Sequence, residues 1–114
     1  MPHCIIEYSA PLAQQLSITK LVQAVHQGAI DSGLFTPSAI KSRAHACEHF
    51  LVGEDSAQSF IHVRLAIMPG RTDEQKQALT QSVFAALEPI AAKADSVSLE
   101  VTELHQPSYL KRGS

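Results

Sequence analysis

Apolar residues along this chain switch from a spacing of two to the helical spacing of about 3.6 and back again, and they do so twice. That alternation restricts the fold more than any other feature. In "FIHVRLAIM", Ile61, Val63, Leu65 and Ile67 alternate with Phe60, His62, Arg64 and Ala66, the pattern of a strand with one dry face. "SVSLEVTEL" does the same, setting Val97, Leu99 and Val101 against Ser98, Glu100 and Thr102. Residues Pro2 to Tyr8 carry Ile5, Ile6 and Tyr8 in a β-rich setting, and residues 40–52 fit an extended segment.

Each pair of strands is separated by a helical pattern. Ile18, Leu21, Val22, Val25, Ala29 and Ile30 recur at helical spacing, with Ser17 as N-cap and Gly33 just past the end. In the second helix Thr72 and Gln75 have the spacing of a capping box, and Asp73 and Glu74 suit the positive helix start. Leu79, Val83, Ala86, Leu87, Ile90 and Ala94 form its buried side. Pro89 lies within this run and should kink the helix or end it early, because it has no N–H to donate and clashes with the preceding turn; the helix is expected to continue with a bend there.

The order is thus β-α-β followed by β-α-β, each unit right-handed with parallel strands. The "GEDSAQ" turn is expected to join the units antiparallel. The predicted fold class is α+β, a two-layer domain over residues 1–114: a four-stranded mixed sheet with both helices on one face. The other face carries Lys41, Arg43, His45, Cys47 and His49 along the second strand, and Phe60, His62 and Arg64 along the third. Such a half-polar face pairs readily with copies of itself, and Phe60 and Leu51 would otherwise stand exposed, so an oligomer is expected.

Charge and composition narrow the function. The net charge is −2 and there is no basic run, which argues against nucleic acid or an anionic membrane surface as partner and in favour of small molecules. The apolar stretches are far shorter than the ~20 residues that span a bilayer. Two cysteines without a basic, apolar leader point to free thiols in a reducing, cytoplasmic setting.

Several residues have the chemistry of a site. Removal of Met1, expected before so small a residue, leaves Pro2 as a secondary amine. Burial and nearby cations would favour the neutral form of that amine, and a base works best with a pKa near the working pH. Arg71 follows a Pro-Gly turn directly before the second helix, where a guanidinium and a helix start together suit a carboxylate. Lys41, Arg43 and Arg64 add cations, whose structural role would be to pair with Glu7, Glu48 or Glu100. His45, Cys47 and His49 alternate in "HACEH", but the spacing matches no zinc motif, so no metal is assigned. Neither Cys4 nor Cys47 has an identifiable base beside it.

"PHCIIEYS", "IKSRAH", "FIHVRLAI", the "GR" turn and "LEVTELHQPSYLKR" together resemble the 5-carboxymethyl-2-hydroxymuconate isomerase family of the tautomerase superfamily. The resemblance implies a tautomerase-like homotrimer without a cofactor, acting on a small polycarboxylate dienol from aromatic breakdown. It implies that Pro2 is the catalytic base, which takes the 2-hydroxy proton and returns a proton to carbon. It further implies that Arg71 binds a substrate carboxylate, with Lys41 and Arg43 supplying more positive charge. Where the family often has Arg-Ser-Arg, this chain has "KSR", and Lys41 keeps the charge without the bidentate grip. Two alternatives share the predicted fold: a tautomerase of a smaller 2-oxo acid, and a non-enzymatic oligomeric binding module.

Overall fold

The computed structural model describes residues 2–55 and 57–113. Strands β1 (His3–Ser9), β2 (Lys41–Cys47), β3 (Phe60–Ile67) and β4 (Ser96–Glu103) form one sheet in the order β2-β1-β3-β4. Helix α1 (Ile18–Asp31) connects β1 to β2, and helix α2 (Asp73–Leu87) connects β3 to β4. Both of these strand pairs are parallel, whereas β1 and β3 pair antiparallel at the centre. The two β-α-β units are therefore opposed, as expected. They meet through β1 and β3, however, and not through the strands that flank the "GEDSAQ" turn, of which Ser56 lies outside the described residues.

Inward side chains of β1 (Cys4, Ile6, Tyr8) and β3 (Ile61, Val63, Leu65, Ile67) share one buried cluster with Leu21 and Val25 of α1 and Leu79, Val83 and Leu87 of α2. Both helices thus cover the same sheet face. They approach closely at Gly28, where an added Cβ would lie 2.7 Å from the Val83 Cα, and Ser82 Oγ donates to the Gly28 carbonyl at 2.8 Å. Local signals start both helices. Ser17 Oγ accepts from the Lys20 N–H at 3.2 Å, and Thr72 and Gln75 form the reciprocal capping box.

Two expectations are corrected. The second strand stops at Cys47 and not at Val52, because β1, the strand it pairs with among the described residues, ends at the paired Ser9 and the chain there enters a 3₁₀ turn at Ala10–Gln14. His49 consequently lies beyond the strand and does not continue the row of His45 and Cys47. Helix α2 ends at Leu87 without a bend across Pro89; Ile90 and Ala91 instead donate to the Leu87 carbonyl in a tight turn, at 2.9 Å each. Proline removes the N–H that the next helical bond requires.

The sheet face away from the helices carries Lys41, Arg43 and His45 on β2, Ile5 and Glu7 on β1, His62 and Arg64 on β3, and Ser98 and Glu100 on β4. His62 lies between Ser98 Oγ at 2.7 Å and Glu100 Oε2 at 2.6 Å, so Glu100 is held by a histidine and not by one of the cations proposed for it. Phe60 is half-buried against Phe50, with ring centroids 5.8 Å apart, whereas Leu51 is 76% exposed.

Candidate active site

Pro2 is buried at the entry to β1, and its carbonyl accepts the Lys41 N–H at 3.0 Å, which extends the β1–β2 ladder by one bond. It lines a cavity of about 270 Å³ together with Phe35, Met68, Pro69, Gly70 and Arg71. Two loops build this cavity. After β3 the chain reverses through Met68 to Gly70, whose φ of +118° suits glycine, and delivers Arg71 directly before the Thr72 cap. After α1 it turns at Gly33, φ +73°, and presents Leu34 and Phe35.

Arg71 locks the loops together. Its guanidinium donates to the Leu34 carbonyl and lies 5.8 Å over the Phe35 ring. The helix-start N–H group of Gln75 is taken by Thr72 Oγ1 at 3.1 Å, so Arg71 is oriented by the α1–β2 loop instead of by the α2 terminus. A guanidinium has five N–H donors in a planar fork, and Leu34 is its one hydrogen-bond partner among the described residues. The remaining donors suit a carboxylate beside Pro2.

The other two expected cations stand elsewhere. Lys41 lines a larger cavity, about 590 Å³, with Val22, His26 and Ser42, and its Nζ donates to the Ala39 carbonyl at 3.1 Å. Neither Pro2 nor Arg71 borders that cavity, so the smaller cavity remains the candidate for amine chemistry. Arg43 projects from the outer sheet face, where Nη1 donates to His3 Nδ1 at 3.1 Å. Burial first, then the charges of Arg43, Lys41 and the chain terminus, hold the His3 pKa below the ordinary value of 6.5.

The structure therefore brings Pro2 and Arg71 together, ties Lys41 to Pro2 through the backbone, and separates Arg43 onto the opposite face. Phe35 and Met68, which complete the cavity wall, carry no sequence pattern that marks them. His3 and Tyr109 were also missed: His3 Nε2 lies 3.0 Å from the Tyr109 hydroxyl across 106 positions of sequence. The β1–β2 register places His3 on the face of Arg43, and the folded C-terminal segment supplies Tyr109.

Comparison with known proteins follows the same lines. The family model described as 5-carboxymethyl-2-hydroxymuconate isomerase matches residues 2–114. A curated 5-carboxymethyl-2-hydroxymuconate Delta-isomerase from Escherichia coli is 26% identical over 120 residues, covering 100% of this chain and 95% of that protein. A crystal structure of a 5-carboxymethyl-2-hydroxymuconate isomerase from Deinococcus radiodurans R1 superposes with a TM-score of 0.86 at 24% identity, over 99% of this chain and 90% of that one. A fused 4-OT symmetric trimer shares the fold with a TM-score of 0.77 at 15% identity, over 94% and 91% of the two chains. Matched from Pro2 to its last residue, the chain belongs to the 5-carboxymethyl-2-hydroxymuconate isomerase family.

Proposed function

We propose that this chain catalyses the tautomerisation for which its family is named, with Pro2 as the base. Once Met1 is removed, the Pro2 nitrogen takes the proton of the substrate 2-hydroxy group. The electron pair of that O–H bond becomes the ketone π-bond, the dienol double bonds shift, and the protonated Pro2 returns a proton to carbon. Substrate and product differ only in proton position, so base and acid are the same nitrogen in turn. Arg71 holds a substrate carboxylate and stabilises the negative charge that develops along the dienolate. Lys41 and Arg43, expected to supply further cations, border other cavities of this chain, so the carboxylate beside Pro2 is assigned to Arg71.

The observation that carries this reading is the cavity shared by Pro2 and Arg71. An apolar wall of Phe35 and Met68 disfavours an ammonium ion there, and so does the guanidinium charge. We further propose that the chain acts in the cytoplasm as a homotrimer assembled through the polar outer face of the sheet. No helix among the described residues is long and apolar enough to cross a membrane.

Intact mass provides the first test: the active species should lack Met1. An N-terminal extension that is not processed converts the Pro2 amine into an amide while leaving every side chain in place. It should lower kcat on 5-carboxymethyl-2-hydroxymuconate by about 10²- to 10⁴-fold, the usual contribution of a general base. Full turnover by the extended chain would exclude Pro2 as the base. Turnover restricted to a smaller 2-oxo acid would keep the base and change the substrate.

A further inference from the structure

The two most exposed large apolar side chains among the described residues are Leu110, 94% exposed, and Leu51, 76% exposed. Leu51 lines a cavity of about 600 Å³ with Glu48, His49 and Phe50, in the segment that follows β2. Phe50 anchors that segment through its ring contact with Phe60, the first residue of β3. Leu110 directly follows Tyr109, which its bond to His3 holds beside the start of β1.

The two leucines cannot cover each other within one chain. Phe60 lies where β1 ends, since its N–H donates to Ser9 Oγ at 2.6 Å, whereas His3 lies at the other end of the sheet, paired with Ala66. Between these ends β1 runs for 7 residues, a distance of roughly 20 Å at about 3.4 Å per residue. Each leucine therefore needs a second molecule to leave water.

Charge distinguishes the two surfaces. Glu48 and Glu54 flank Leu51, whereas Lys111 and Arg112 follow Leu110, and none of these four makes a hydrogen bond or ion pair among the described residues. An apolar side chain with a basic flank at one end of the sheet thus matches an apolar cavity with an acidic flank at the other. Contacts between different surfaces of one chain repeat head to tail and close into rings.

We infer that residues 110–112 of one copy dock on residues 48–54 of the next, with Leu110 seated against Leu51 and Phe50, and with Lys111 and Arg112 facing Glu48 and Glu54. The inference rests on the proposed homotrimer and adds to it a contact at the two ends of the sheet, beyond the polar outer face. It does not depend on Pro2 acting as a base.

Sedimentation equilibrium of the full chain over a range of concentrations tests it. Leu110→Asp and Leu51→Asp should each raise the concentration at which half the chains are assembled by about tenfold or more, with circular dichroism reporting that each variant is folded. Glu48→Lys with Glu54→Lys, or Lys111→Glu with Arg112→Glu, should weaken assembly several-fold, and all four changes together should restore it. Trimers unaffected by Leu110→Asp, or charge reversals that do not compensate, would overturn the docking while leaving the homotrimer in place. A monomeric wild-type chain would overturn both.

Discussion

Gly28→Ala probes the contact on which the helical layer depends. The new methyl group would lie 2.7 Å from the Val83 Cα, 3.1 Å from the Ser82 carbonyl oxygen and 3.1 Å from the Ala86 Cβ. Two of those three atoms are backbone, so no side-chain rotation relieves the clash and the helices must separate by several tenths of an ångström. Overpacking of this kind costs about 1–3 kcal/mol. Separation also strains the Ser82 hydrogen bond to the Gly28 carbonyl, worth about 1 kcal/mol. Alanine recovers about 1 kcal/mol through its better helix propensity. The sum is a net loss of about 1–3 kcal/mol, or roughly 4–15 °C in Tm for a domain of this size. Thermal unfolding followed by circular dichroism at fixed protein concentration measures it. An unchanged or raised Tm would show that the helices separate freely, and that the close approach at Gly28 contributes nothing to stability.

Other outcomes follow from the site and its supports. Arg71→Gln removes the charged partner beside Pro2 and should raise KM by about 10- to 100-fold, the equivalent of about 1.5–3 kcal/mol, in steady-state assays. Because His3 has a lowered pKa in the folded chain, the unfolded chain takes up its proton first as the pH falls below 6.5. The contribution of His3 to stability is thus complete above that value and is lost as the pH falls through the folded pKa. His3→Gln should flatten this part of the Tm profile between about pH 5 and 7, and an identical slope in both proteins would contradict it. Thr72→Ala removes the Oγ1 that accepts from the Gln75 N–H, leaving the backbone N–H bond to Gln75 Oε1, and should cost about 1 kcal/mol in denaturant unfolding.

Local patterns were legible because their causes are local. Alternation in β3, the Ser17 and Thr72 caps and the apolar stripe of α1 depend on residues within a few positions of one another, so the order of elements and the fold class follow from the chain alone. The candidate amine is equally a property of sequence, since it needs only proline at position two. Tertiary structure decided what crosses long separations. The sheet order put β2 beside β1, and the end of β1 truncated β2 at Cys47. Arg71 reaches Leu34 across 37 positions, and Arg43 reaches His3 across 40. Strand parity predicts which face a side chain occupies, but not which loop closes over it. Packing of the two helices on the same sheet face sets where each loop ends, and so Arg71 lines one cavity with Pro2 while Arg43 stands on the far side.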